Sequence, residues 1–483
     1  MSNLSELLPT GGGQNAVDFV ASGTLSSGQA VSLKADGTVE AVSGSVVSGS
    51  LGSLTQFNSS NSVYVASAYH ADQNKIVVAY GDGGNVDYGT ACVGTISGTS
   101  ITFGTPVVFL SAEALWISAA YDSSTNKIVI SYRDGGNSSY GTAIVGTVSG
   151  SSISFGTAAV FESAATTYIA TTYDSANNKI VIAYSDGGNS SYGTAIVGTV
   201  AGTSISFGTA VVFESASSPY IATTFDSTSG KILIAYQDQG NTNYGTAIVG
   251  TVSGTAISFG TAVVFESANT SYIATTFDST SGKVLIAYRD SGNSQYGTAI
   301  VGTVSGTSIS FGTAVVFASA ITINITASHS PLANVTNFAY TDNGNAGLAT
   351  YITGTVSGTT ISFDTEASLE PSNGDYFSSA SIGSGKVFFG YRSGTTGEGI
   401  VLQNVYTATN SADFIGITAE AISSAATGAV NVYGGINSVQ TGLTIASDYY
   451  VQYDGTLSTA SASPAIKVGQ AISATTINMK DLT

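Results

Sequence analysis

Short apolar-rich runs of strand length, nearly unbroken in KIVIAY and alternating with polar positions in the two end segments, are separated by Gly, Ser, Asn and Asp. Runs of this length predict strands, and the punctuation predicts turns. The pattern also recurs at long range. Aligned on the Lys that opens the most apolar run, copies begin at Lys75, Lys127, Lys179, Lys231 and Lys283, each 52 residues after the last, then at Val335 and, 51 residues on, at Lys386. The text DGGNSSYGTAIVGTV stands letter for letter at both Asp134–Val148 and Asp186–Val200. One copy, Tyr168–Ala216, divides into YIATTYDS, KIVIAYSD, YGTAIVGTVAG and SISFGTAVVFES, each of strand length and each followed by turn residues. Four antiparallel strands repeated radially describe a propeller blade.

Seven copies therefore predict a seven-bladed β-propeller. An open array would leave two unpaired edges, so a ring closed by a shared blade is expected. The seventh copy supplies YFSSASIGSG, KVFFGYRS and GIVLQNVY and then departs before its fourth strand. The missing strand is found near the N-terminus as GSLGSLTQF, Gly49–Phe57, with Phe57 lying 52 residues before Phe109. A linear β-solenoid is the rival, but a coil of this length is long and a split last copy would serve nothing there.

Closure brings the flanking segments together. Both read as alternating strands with DG, GG and SG turns, so one small β-barrel or sandwich built from both chain ends is expected. The resulting division is an N-terminal arm at 1–14, the small domain at 15–46 and 411–483, and the propeller at 47–410.

Composition narrows the partners. The chain of 483 residues carries 12 basic against 30 acidic side chains, a formal net charge of −18. Such a surface does not neutralise phosphates, so neither nucleic acid nor an anionic membrane surface is an expected partner. No apolar run is long enough to span a bilayer, and MSNLSELLPTGGGQN lacks the charged and apolar regions of a Sec-type signal. Cys92 stands where other copies have Ile144, Ile196, Ile248 and Ile300, and reads as a small buried hydrophobe. No cofactor and no metal site are expected.

Candidate chemistry lies in the loops. Between the second and third strands, Asp and Asn recur three apart around glycine: Asp82/Asn85, Asp134/Asn137, Asp186/Asn189, Asp238/Asn241, Asp290/Asn293 and Asp342/Asn345. The spacing is loosely similar to the Asp-box of sialidase-like propellers, with the aromatic one position late and not Trp. These pairs are candidate ligand-binding residues, although capping of their own turn is the favoured reading, because a repeat needs the same turn in every blade. The same rim carries Glu162, Glu214 and Glu266 and should be acidic; the other carries Asp122, Asp174, Asp226 and Asp278 beside the repeating Lys, suited to ion pairs. Arg133, Arg289 and Arg392 share one repeat position and are expected to face solvent beside Asp134 or Asp290 rather than to converge on a ligand. His70 and His329 lack partners for base catalysis. Tyr88, Tyr140, Tyr192, Tyr244 and Tyr296 suit packing between blades. Trp116, the one Trp, lies in a variable crossover; it is a candidate carbohydrate or protein contact, or the filler of a gap between blades.

The phrases SGTLSSGQAVSLKADGTV (Ser22–Val39), FIGITAEAI (Phe414–Ile422), GLTIASDYYVQYDGTLST (Gly442–Thr459) and VGQAISATTINM (Val468–Met479) resemble virion structural proteins of tailed bacteriophages. Similar text occurs in capsid decoration or cement proteins and in fibre proteins of marine phages; the opening SELLPTGGGQN and the repeat YGTAIVGTVSGTSISFGT are similar to such proteins too. The resemblance implies a virion component, assembled in the host cytoplasm and exposed on the particle. Its partners would be other capsid or tail proteins and a host-surface glycan or protein, and it would be a homotrimer by analogy. A propeller-sized insertion departs from compact cement proteins. Adhesion without catalysis is the expected role, with a glycan-processing spike enzyme and a purely structural cement protein as alternatives.

Overall fold

A computed structural model describes residues 15–42, 44–408, 413–451, 455–459 and 466–479. The expected arm at 1–14 and the boundary at 410/411 lie outside the described residues. Every regular element among those described is a strand or a single turn of 3-10 helix, so the chain is all-β, as its strand-length runs predict. It divides into two compact units: one from Ser50 to Gln403, the other built from the chain on either side.

In the larger unit each of the seven repeats forms an antiparallel sheet. Neighbouring sheets share a strand. The leading half of Ala159–Asp174 pairs with Tyr140–Ser149 of the second blade, and its trailing half pairs with Lys179–Asp186 of the third. What the sequence presents as a crossover is thus continuous strand, leaving the outer edge of one blade to become the inner strand of the next. The fourth strand is broken in two, Ser204–Phe207 and Val211–Ser217, and both pieces pair with Tyr192–Ala201. The break centres on Gly208, where a Cβ would lie 1.9 Å from the carbonyl oxygen of Thr255 in the next blade. Glycine there lets adjacent sheets touch backbone to backbone.

The ring is closed by the N-terminal segment. Strands Gly44–Leu51 and Thr55–Asn58 pair with Thr396–Ala408 of the last blade. Asn58 faces Gly397 and Thr55 faces Gly399, matching Glu162 with Gly141 and Ala159 with Ala143 in the second blade. Packing repeats as well as register. The Phe57 ring lies 5.1 Å from Tyr80 and 5.7 Å from Phe103, as Phe213 lies 5.1 Å from Tyr236 and 5.7 Å from Phe259. A Cβ on Gly52 would meet the Thr99 carbonyl oxygen at 1.9 Å, as at Gly208. Each blade also buries one Tyr completely at the same position, Tyr80 and Tyr236 among them, removing a large apolar ring from water.

The smaller unit holds two five-stranded sheets. One interleaves the chain ends: Ala16–Val20, Ala30–Leu33 and Val39–Ala41 join Thr427–Val432 and Phe414–Thr418, with Ala16 opposite Asn431. The other is built from the C-terminal segment alone, around Asp448–Val451 and Ile466–Ser473. Ala30, Phe414 and Ile417 of the first pack with Val451, Val468 and Ile477 of the second. This is a sandwich core, in which Ala16–Val20 and Asp448–Val451 alternate in burial while Phe414–Thr418 is buried throughout.

Candidate functional site

Each inner strand breaks register soon after it enters its blade, between Val63 and Ala66, Leu115 and Ser118, Thr167 and Ala170, Ser271 and Ala274, Ile323 and Thr326, and Asp375 and Ser378. In the fourth blade the buried Pro219 interrupts the strand at the same place. A bulge of this kind re-aims side chains. The residue in it is left-handed in every blade: Tyr64 (φ 51°), Trp116 (50°), Tyr168 (50°), Tyr220 (53°), Tyr272 (51°), Asn324 (53°) and Tyr376 (51°). Left-handed geometry in a bulky side chain is unfavourable by about 1–2 kcal/mol, and here the ring repeats it seven times at positions 52 residues apart.

These side chains converge. Ring centroids follow one another at 5.1 Å (Tyr376 to Tyr64), 4.9 Å (to Trp116), 4.2 Å (to Tyr168), 5.3 Å (to Tyr220) and 5.3 Å (to Tyr272). The sixth blade interrupts the circle with Asn324, which donates to Asp375 and to Thr341. Together with the next residue of each bulge, Ile117, Ile169, Ile221 and their equivalents, they line a cavity of about 480 Å³. Its wall is therefore aromatic at one tier and aliphatic at the next except for Phe377, with a polar corner at Asn324 and Asp375. Burial and the neighbouring rings push the hydroxyls of Tyr64, Tyr168 and Tyr220 above their ordinary pKa, so they remain protonated donors at neutral pH.

Arg289 and Arg392 reach this circle and Arg133 pairs across its blade with Glu113, which corrects the expectation that the arginines face solvent beside Asp134 or Asp290. Arg289 lies over the Tyr272 ring at 4.8 Å and its Nε donates to Ser271 Oγ at 2.9 Å. Arg392 lies over Tyr376 at 4.9 Å, pairs with Asp375 and donates to Asn61 at 3.2 Å. Arg133 pairs with Glu113 at 3.8 Å. The reason is register: the arginine ends the second strand directly opposite the inner strand's bulge, Arg289 facing Ser271 and Arg392 facing Asp375.

The Asp and Asn candidates of the loops lie elsewhere. Asp82, Asp134, Asp186, Asp238, Asp290 and Asp342 each accept from the backbone N–H two residues on, at 2.8–3.0 Å. Their carboxylates are thereby used to cap the turn. Asn85, Asn137, Asn189, Asn241, Asn293 and Asn345 are exposed and spread around the ring, one per blade. None of the twelve lines the axial cavity. Trp116 does, and it both contacts the cavity and fills the space between Tyr64 and Tyr168. Among the described residues no cluster of three His, Cys, Asp or Glu could hold a metal.

Two rim expectations also change. Glu162, Glu214 and Glu266 are half-buried acceptors for the hydroxyls of Tyr184, Tyr236 and Tyr288, at 3.1, 3.0 and 3.1 Å, and burial raises their carboxyl pKa values. On the opposite rim, Asp174 and Asp226 cap their own turns, and Lys75 and Lys283 donate to Thr95 and Thr303 rather than to aspartate. Asp278 pairs with the buried His329 at 3.1 Å, and burial lowers the histidine pKa.

The aromatic circle is what sequence reasoning missed. Its signal is the residue that closes each variable crossover, W in LSAEALW and Y in ESAATTY, ESASSPY and ESANTSY, with N in ASAITIN.

No family model and no curated protein matches the chain. Solved structures do. A BP39L lectin from Burkholderia pseudomallei is similar at a TM-score of 0.52 and 11% identity, over 76% of this chain and 97% of that one. A protein of unknown function from Dyadobacter fermentans aligns at a TM-score of 0.42 and 11% identity over 73% and 99%. The polysaccharide lyase Uly1 aligns at 0.47 and 9% over 73% and 99%. At these identities the likeness is one of fold.

Proposed function

We propose that the propeller is a non-enzymatic sugar-binding module and that the sandwich of the two chain ends anchors it to a virion surface. The observation that carries the sugar reading is the circle itself: six aromatics and one asparagine, held in a strained backbone conformation and turned into one cavity. Tyr and Trp offer an apolar face for stacking on the hydrogen-bearing face of a pyranose and a polar edge for its hydroxyls. A concave, largely apolar site with a few placed polar groups is the general form of a small-ligand site. Asp375, the carboxylate that lines the cavity, is engaged by Arg392, which favours binding over turnover. A lectin among the neighbours of like fold agrees with this reading. The virion half rests on the phage-like phrases in the terminal segments; many copies on one particle would turn weak single-site contacts into avidity.

The full chain applied to a glycan array is expected to bind at least one sugar class, with Trp116→Ala and Tyr168→Ala weakening that binding at least about tenfold while circular dichroism is retained. An array without any bound glycan, or binding that both substitutions leave intact, would overturn the sugar reading. Immunogold labelling that finds the chain absent from particle surfaces would overturn the virion reading.

A further inference from the structure

Arg289 and Arg392 occupy equivalent places in the fifth and seventh blades. Each lies on a tyrosine of the circle, at 4.8 Å and 4.9 Å, and each faces one residue of the inner strand. In the seventh blade that residue is Asp375, whose carboxylate meets the guanidinium. In the fifth it is Ser271, whose hydroxyl takes only Nε. Arg133 has Glu113. Among the described residues Arg289 is therefore the one arginine without an ion-pair partner, and its outer fork is left over. Cation and aromatic platform are in place there, and the anion of the seventh blade has no counterpart.

That place opens onto a second cavity, of about 320 Å³, on the shoulder of the funnel between the fourth and fifth blades. Its lining is polar. Gln237 is 5% exposed, and its Nε2 donates to Asn269 Oδ1 at 2.8 Å and to the Thr270 carbonyl at 2.6 Å. Gln239, Asn243 and Asn269 add further donors and acceptors, and Tyr220 forms the wall shared with the axial cavity. A guanidinium fork matches a carboxylate with two parallel hydrogen bonds, amides suit ring hydroxyls, and Tyr220 presents a stacking face.

We infer that this shoulder selects a carboxylated sugar, its carboxylate on Arg289 in the place that Asp375 fills in the seventh blade, and its ring against Tyr220. The inference rests on the sugar-binding reading and names the class of sugar. A chain with a net charge of −18 does not gather polyanions without specific contacts, so an acid preference reports this pocket.

The test uses the full chain on an array that carries each uronic-acid oligosaccharide both as free acid and as methyl ester, beside neutral sugars. The free acid should bind at least about tenfold more tightly than its ester. Arg289→Gln should abolish that difference, so that the acid and the ester of each sugar bind alike. Lys231→Gln removes the same charge from the opposite end of a second strand and should leave the preference intact. Equal binding of acid and ester, or a preference that survives Arg289→Gln, overturns the acidic-sugar inference and leaves the sugar reading standing. An array with no bound glycan overturns both.

Discussion

A carboxylate in this protein is decided by what meets it. Asp186 and its five equivalents satisfy backbone N–H groups, whereas Glu162, Glu214 and Glu266 take the hydroxyl of a fully buried tyrosine. The glutamates lose more to burial than that hydrogen bond returns, so their carboxyls hold protons more tightly in the fold than in the unfolded chain. Raised carboxyl pKa values contribute stability that is present below the ordinary value of 4.5 and is lost as pH rises through the folded value. Melting temperature should accordingly fall between pH 4.5 and neutrality. Self-repulsion at −18 acts in the same sense, so the informative quantity is a difference. Glu214→Gln should make the fall shallower; a slope unchanged by that substitution would contradict the account. The carboxyl at 214 is visible in the sequence as part of an acidic rim, but its partner Tyr236, 22 residues on, reaches it only through the fold.

Strands and turns follow local chemistry, and their contacts with the next blade do not. Gly202 and Gly208 lie in one hairpin and read alike as turn residues. Gly202 has φ +62° and open space around its missing Cβ, while Gly208 stands 1.9 Å from a carbonyl oxygen of the neighbouring sheet. Gly202→Ala should therefore destabilise by only about 1 kcal/mol, the conformational term. Gly208→Ala must push adjacent sheets apart and should destabilise by about 2–4 kcal/mol. Chemical denaturation of the two variants compares them directly; equal losses would remove the close approach as the reason for glycine. The bulge that carries the aromatic circle belongs to the same class of feature. Nothing in YIATTYDS distinguishes Tyr168 from an ordinary strand-opening residue, because the left-handed conformation is imposed by pairing on both sides of it.

Across the molecule, closure is the term that joins all seven blades. Phe57 sits among Tyr80, Phe103 and Gly397 as Phe213 sits among Tyr236, Phe259 and Gly193. Phe57→Ala and Phe213→Ala should then destabilise alike, each by about 3–5 kcal/mol, in a single cooperative transition. A mild effect at Phe57 alone would describe a frayed terminal strand and an open stack. This closing strand was legible because a repeat transmits its register through the count of residues, and Phe57 keeps that count from the far end of the ring. Blade number, strand order and the shared domain of the chain ends follow from the same arithmetic of alternation and period. The functional surface does not. A period of 52 residues says that Tyr64, Trp116 and Tyr168 are equivalent, but equivalent positions can face outward, between blades or toward the axis. Only the pairing of inner strands, the bulge within each, and the rotation of blades about a common axis bring residues remote in sequence within ring-to-ring contact and lay Arg289 over Tyr272.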